Sequence, residues 1–585
     1  MLAFFSLEAA KQEMEVTPVV EHCVETACQA YRETDSGKLL RVATSESETV
    51  WHKLDHLLYL PVLGLTRPRD LYYYQGDGLK VLYGFTYKYL TLEHFVGQLT
   101  RLQVGYALAD ALARCYGQAW YPGDDPLFIF TDWHVKPHWT KHRAHSGHIT
   151  MWERVMPGTK QLLVNGPDGH LLGGWNRQVD THLTQVLVDW EVELATKLGR
   201  PIAYNIFDSE GSGLPTAKRY VESKQAYLSV LPRKKSHTLD AFELLGKWEP
   251  VQGDPVHEAV DARWRDPQKA QVDPRQLVLM RRLEDSDPTR IYVRCNLDSL
   301  SATAIPVRFR QRWHCQEGVI RQMVSGANLN ANFGYLYNQV PNRTQKRHWE
   351  EAQEKVEVSE RLLDQEQQAL TNLWRKLTVR RKAYHQQHKA LSKEIEAKKA
   401  ELVHCQQEER SIRRARKGLL SRQRRLDDLT AGFRRQRRRL LKAMARRLAR
   451  RSELRQELAK RRAVRDEIDT ESLCRERILE KDQVMLDMQV LLTSLHDWAR
   501  SYYFAPAWKR LELDTAIKLI YRKPGRVKWG ETEIEVVLDP YRYPEHQQAM
   551  AETCHHFNAA QVHWRDGRLL RIYVANESQF QLCNC

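Results

Sequence analysis

The chain has 585 residues, with 90 Lys and Arg against 74 Asp and Glu, a net charge of +16. At about 150 residues per domain, that length corresponds to roughly three or four domains. With 42% hydrophobic and 28% charged residues, the composition excludes a miniature, collagen-like or fully disordered chain. No apolar run is long enough to predict a membrane-spanning helix. The opening MLAFFSLEAAKQEME lacks the basic segment of a secretory leader. Ten cysteines are scattered from Cys23 to Cys585 without regular pairing, which predicts buried thiols in a reducing, cytoplasmic setting.

Residues 1–120 predict a mostly helical region around a small strand pair, LYYYQGDGLKVLYGF. The apolar pattern in EHFVGQLTRLQVGYALADALARCYGQAW fits helices of a packing bundle, with contact to DNA as the second reading. An α/β region follows over 121–345. DPLFIFTD (125–132) is a buried strand ending in an acid, and HITMWERVM with KQLLVN predicts a hairpin about a Pro-Gly turn. VDTHLTQVLVDWEVELATKLG has helical periodicity and a Gly stop. PIAYNIFD (201–208) is a second buried strand ending in an acid, followed by a helix at 215–225 and the strand AYLSVL. Residues 232–305 read as a polar insertion containing two strands, LVLMRRL and RIYVRC, before a helix over about 311–325.

From Pro341 to Pro506 there is no intervening proline, and only Gly418 and Gly432 interrupt the span. Val356, Leu363, Leu370, Leu377, Tyr384 and Leu391 recur every seventh residue, which predicts a coiled-coil segment over 346–497. A turn near Gly418 or Gly432 makes it an antiparallel hairpin; a dimeric coiled coil is the alternative. The tail, 498–585, reads as a small α+β unit with strands EIEVVLD and LLRIYVA.

The positive charge is local. Ser411 to Arg465 holds 22 Lys and Arg and only four acids, so the rest of the chain is close to neutral. Its densest stretch contains Arg434, Arg435, Arg437, Arg438 and Arg439. Uncompensated arginine at this density predicts a polyanionic partner, since each neutralised phosphate releases counterions, with a merely solvated helix face as the alternative.

Three acids stand out by position. Asp132 and Asp208 each end a predicted buried strand, and Glu317 lies in the later helix. Strand-end aspartates are often mere turn residues. If the two strands are sheet neighbours, however, the aspartates stand side by side and the helix can bring Glu317 to them. Three such carboxylates repel one another unless cations intervene, and an all-oxygen set favours two Mg²⁺ or Mn²⁺ ions acting on one phosphorus.

FTDWHVKPHW (130–139), IFDSEG (206–211), and RWHCQEGVIRQM (312–323) with GYLYNQVPN (334–342) resemble the three motifs of DDE-type insertion-sequence transposases. The resemblance covers about Leu71 to Asn342 and, more faintly, 505–575. Three departures are visible. Ser209 stands where the family usually has Arg, Gly318 where it has Asn, and one extra residue separates Arg312 from Glu317. The resemblance implies an α/β fold with a ribonuclease H-like mixed-sheet core, flanked by the helical N-terminal region, the β-rich insertion, the coiled-coil segment and the C-terminal unit. It also implies cleavage of transposon ends and their joining to target DNA. On that reading Asp132 serves both metal ions and Asp208 and Glu317 one each, while Arg312 pairs with a phosphate and Lys136 and His134 approach DNA. Glu210 is a second-choice ligand.

The partners expected are terminal and target DNA and a second subunit across paired ends, in a prokaryotic host. There is no Walker-type loop, so no nucleotide cofactor is expected. Zinc at the histidine run His134, His138, His142, His145 and His148, or at Cys554, His555, His556, Cys583 and Cys585, is a weaker reading because neither spacing matches a metal finger. The competing functions are a catalytically inactive nucleic-acid-binding coiled-coil protein and a nuclease without strand transfer.

Overall fold

The computed structural model describes the chain except residues 1, 35–41, 43–44, 75, 77, 143, 232–238, 268–269, 271–275, 283–290, 298, 334–335, 405–408 and 577–585. It is a mixed α/β protein that divides into two compact units. One comprises Met1–Asn338 with Arg475–Cys585, and the other Gln339–Cys474. Among the described residues no helix is long and apolar enough to cross a membrane.

The first unit is organised by one mixed sheet. Its central strand β1 (Leu127–Pro137) lies between β3 (Arg154–Asn165), which is antiparallel to it, and β5 (Ile202–Phe207), which is parallel. β4 (Leu171–Gln178) pairs antiparallel with β3, and β6 (Tyr227–Val230) pairs parallel with β5. Parallel neighbours need crossovers. These are the helices Leu183–Leu198, between β4 and β5, and Leu214–Ser223, between β5 and β6. The expected order is strand, two strands, helix, strand, helix, strand; three strands stand where two are expected, because β4 (Leu171–Gln178) is not foreseen and β3 spans parts of both expected hairpin strands.

The hairpin, however, does not turn at Pro157-Gly158. Those residues run through β3, with Gly158 opposite Pro137; a Cβ there would come within 2.8 Å of the Lys136 carbonyl. Reversals occur instead between β2 (Ser146–Ile149) and β3, and between β3 and β4. A proline-glycine pair reads as a turn locally, but cross-strand pairing on both sides holds it extended.

The insertion continues the same sheet. β11 (Ile291–Cys295) pairs antiparallel with β6, and β10 (Gln276–Arg282), β9 (Asp254–Trp264) and β7 (Phe242–Leu244) follow outward, with β8 (Glu249–Val251) also on β9. The strand pair expected at LYYYQGDGLKVLYGF is instead a 3₁₀ turn, Pro68–Tyr73, and a short helix, Gly78–Tyr83. Pro68 at the first helical position and the Asp70 carboxylate, which accepts from the Thr66 and Arg67 amides at 2.9 Å, start a helical turn. That outweighs the β preference of the tyrosines.

Two helices cover the β4 end. Val104–Trp120 packs there as expected; the Tyr106 hydroxyl donates to the Asn176 carbonyl at 3.0 Å, and Asp110 accepts from the Trp175 indole at 2.8 Å. The second, Glu480–Tyr502, is buried on nearly every face. Its Gln483 side chain accepts from the Asn176 amide at 2.7 Å and donates to the Gly174 carbonyl at 2.8 Å. A Cβ at Gly174 would crowd Leu163, Val490 and Leu486, so glycine admits this helix. The expected coiled-coil segment therefore ends early, because Glu480–Tyr502 is a core helix of the first unit. Near-complete burial erases the two-faced pattern that would have separated it from the surface helices before it. The C-terminal sheet joins β14 (Gly525–Trp529), β15 (Glu533–Leu538) and β16 (Leu569–Val574), with the helix Pro544–Ala559 linking the parallel pair β15–β16.

The second unit is a hairpin of two long helices, Arg343–His404 and Glu409–Asp466; the strands β12 (Tyr337–Pro341) and β13 (Leu473–Arg477) each straddle a chain boundary of this unit. Tyr384 stacks on Phe433 with ring centroids 4.2 Å apart, and Leu370, Leu377 and Met444 form a buried cluster. Glu366–Arg447 (2.7 Å) and Glu394–Arg422 (3.0 Å) confirm the antiparallel register. Gly418 and Gly432 lie inside the second helix. One glycine costs a helix about 1 kcal/mol relative to alanine, too little to break one that packs along its whole length.

Candidate active site

Sheet register brings the two aspartates together. β1 and β5 run parallel with Thr131 opposite Phe207, so the next residues, Asp132 and Asp208, emerge side by side. The Trp133 amide donates to Asp132 Oδ1 at 2.8 Å, and Ser229 Oγ on β6 donates to the Asp208 carbonyl at 3.1 Å. The first bond orients the Asp132 carboxylate, and the second anchors the Asp208 backbone to the neighbouring strand.

Glu317 arrives from the helical segment after the insertion. Ile305–Arg312 is an α-helix, Trp313–Glu317 is a π turn, and Gly318–Gly326 is α-helical again. In an ideal α-helix, residues five apart point about 140° away from one another. The π turn absorbs one additional residue and returns Glu317 to the face of Arg312. The extra residue between Arg312 and Glu317 is thus accommodated without displacing the carboxylate.

Arg312 is the hub. Its Nη1 lies 2.9 Å from Asp132 Oδ2, and its Nη2 lies 2.6 Å from Glu317 Oε1 and 3.7 Å from Asp208 Oδ1. The arginine side chain is buried, while the three carboxylates remain partly open to solvent. Burial raises Asp132 to about 6, aided by the charges of Asp208 and Glu317 and opposed by Arg312. Burial also raises Glu317, again against the pull of Arg312.

One planar guanidinium therefore reaches oxygen atoms of all three acids. They face a common cation position, and their all-oxygen chemistry suits a hard divalent ion. Among the described residues no group of three or more His, Cys, Asp or Glu side chains is arranged ready to hold a metal ion. At the trio, Arg312 fills the space between the carboxylates, so metal entry requires it to move.

The other expected contacts fare differently. Glu210 turns away to Lys160, at 3.2 Å, and to the Leu183 amide at the start of a helix. Lys136 corrects the expectation of a DNA contact. It is 1% exposed and donates to Asp482 Oδ1 and the Ala331 carbonyl, each at 3.2 Å, so it is a core cation. His134 is buried against Asn330 Oδ1 at 2.7 Å. Of the histidine run, His138, His142 and His145 line one cavity, but His138 meets Thr159 Oγ1 at 2.6 Å and His145 is buried beside Asp180 and Glu476, and among the described residues no metal-ready group forms there. Cys554 is buried, whereas Cys583 and Cys585 lie outside the described residues. Arg434, Arg435, Arg437, Arg438 and Arg439 are all exposed on the second hairpin helix. Sequence reasoning placed Arg312 near Glu317 but did not foresee that it bridges all three acids. The spacing of five residues was the available signal.

No model of a known protein family matches the chain, and no significant match is found among curated proteins.

Proposed function

We propose that the protein is a metal-dependent DNA transposase of the DDE type, cleaving element ends and joining them to target DNA. The observation that carries this reading is the meeting of Asp132, Asp208 and Glu317, far apart in the chain, around the single guanidinium of Arg312. The strand order β4-β3-β1-β5-β6, with the first three antiparallel and the last three parallel, supports a ribonuclease H-like core.

Asp132 would hold both Mg²⁺ or Mn²⁺ ions, with Asp208 and Glu317 holding one each. The ions, when bound, supply activation of the attacking oxygen and neutralise charge at phosphorus. The remaining work belongs to the chain. Sheet register fixes the separation of the two aspartates, and the π turn aims Glu317. With cations held by the carboxylates, the planar guanidinium of Arg312 would be released from its ion pairs and suited to a bidentate phosphate contact. Cleavage and joining are both in-line displacements at phosphorus, so one carboxylate site serves both. The exposed arginines of the hairpin supply the sequence-independent grip on DNA.

The test compares wild type with Asp132→Asn and Asp208→Asn on supercoiled DNA carrying the element ends. Loss of Mg²⁺-dependent cleavage with unchanged DNA binding supports the reading, and joined products separate a transposase from a simple nuclease. Cleavage by either variant at the wild-type rate would overturn it. Binding without any cleavage by the wild type would favour an inactive nucleic-acid-binding protein, in which Arg312 is a permanent substitute for the cations.

A further inference from the structure

One face of β1 leads from the carboxylates to a second site. Side chains two apart share a strand face, so Asp132, His134 and Lys136 line up, and His138 follows one residue past the strand end. At about 3.3 Å per residue, His138 lies on the order of 20 Å from Asp132. There a cavity of about 390 Å³ opens, lined among others by Trp139, Tyr337, Arg67, Arg475 and Arg477. Among the described residues no Asp or Glu lines it.

We infer that this cavity binds one unpaired nucleotide of a DNA strand, its base stacked on Trp139 and the Tyr337–Arg475 pair and its phosphate held by Arg67 and Arg475. The inference rests on the DNA reading proposed above and adds a site which that reading does not need.

The chemistry of the lining carries it. Trp139 is 67% exposed, unusual for so large an apolar ring, and Trp152 braces it edge-on at a centroid distance of 5.9 Å. The Arg475 guanidinium lies 3.9 Å from the Tyr337 ring centroid, a stacked cation–π pair, and Tyr337 is itself 41% exposed. Flat aromatic and guanidinium surfaces are what an unstacked base needs, whatever its sequence. The floor is rigid. Arg477 is tied to Asp482 and to Asn332 Oδ1, at 3.2 Å, and it contacts His138. Burial and the Arg477 charge keep His138 neutral, at about 3. Arg67 and Arg475 are therefore the lining cations placed for a phosphate, with Arg477 engaged below. The volume suits one nucleotide, since small-ligand sites span about 300–1,000 Å³, and is far too small for duplex.

The experiment is photocrosslinking of the full chain to a single-stranded oligonucleotide carrying 5-bromodeoxyuridine at every thymine, with crosslinked peptides mapped by mass spectrometry. Crosslinks are expected at Trp139 or Tyr337. Arg475→Ala should lower their yield about fivefold or more, while crosslinks to the helices 343–404 and 409–466 stay constant and report an intact fold. The same sequence as a duplex should not crosslink at the cavity. Absence of crosslinks at Trp139 and Tyr337, or a yield indifferent to Arg475→Ala, would overturn the inference. The two readings fail separately. Cavity crosslinks with fully active Asp132→Asn and Asp208→Asn variants would leave the cavity and remove the catalytic assignment. Inactive aspartate variants without cavity crosslinks would do the reverse.

Discussion

Arg312 and Glu317 are five residues apart and joined by a 2.6 Å ion pair, a spacing an α-helix does not support and the intervening π turn does. A π turn is commonly one residue added to an α-helix, with helical register resumed on either side. Deleting the exposed His314 should therefore convert the turn to α, leave Arg312 and Glu317 four apart on one face, and keep Mg²⁺-dependent cleavage within about tenfold of wild type. Inserting an alanine after His314 should abolish cleavage. Assaying both variants on element-end DNA checks this; an inactive deletion variant with wild-type melting behaviour would show that the longer turn itself is required.

Lys136 is buried with Asp482, which also pairs with Arg477. Replacing it removes one partner of a buried pair and leaves the other charge partly uncompensated. Lys136→Ala should lower stability by up to about 3 kcal/mol, read as a lower urea midpoint, with the DNA affinity of the folded fraction within about twofold of wild type. A large loss of affinity without loss of stability would return Lys136 to the DNA interface.

The five arginines at 434, 435 and 437–439 are exposed. Changing all five to glutamine should weaken DNA binding and reduce the slope of log affinity against log salt by as much as ~4. The double helix should persist, because its buried contacts, Leu370, Leu377 and Met444, are untouched. Anisotropy titrations over a salt series measure the slope, and an unchanged slope would place the electrostatic grip elsewhere.

Glu191 is buried between Tyr220, whose hydroxyl donates at 2.8 Å, and Asn205, which donates at 3.2 Å. Burial nevertheless raises it to about 7. The folded state thus keeps a proton that the unfolded chain releases near its ordinary value of about 4.3. The resulting stabilisation is complete below that value and is lost as pH rises through about 7. Glu191→Gln should accordingly be more stable than wild type at pH 8, by a few kcal/mol at most, with the advantage vanishing near pH 4.5. Denaturant midpoints across this pH range provide the measurement; equal midpoints at pH 8 would contradict it.

Much of this architecture is legible from residues close together in the chain. The seven-residue apolar spacing from Val356 to Leu391 encodes a long helix, and the segregation of arginine into 411–465 marks its charged partner. Short apolar runs ending in Asp132 and Asp208 encode two buried strands, of which β5 stops before Asp208 whereas β1 continues past Asp132 to Pro137. These signals survive without tertiary context because they reflect backbone periodicity and local charge, which neighbours in sequence set by themselves.

What the sequence left open was decided by groups brought together from a distance. Lys136 meets Asp482 across 346 positions of chain, and that pairing makes an apparent surface cation part of the core. Arg312 meets Asp132 across 180 positions, and only the shared sheet edge turns three separate acids into one site. The helix Glu480–Tyr502 leaves the coiled-coil rhythm because β4 and its covering helices bury it on all sides. Desolvation and ion pairing depend on what surrounds a side chain in space, and that is fixed only when the chain has folded.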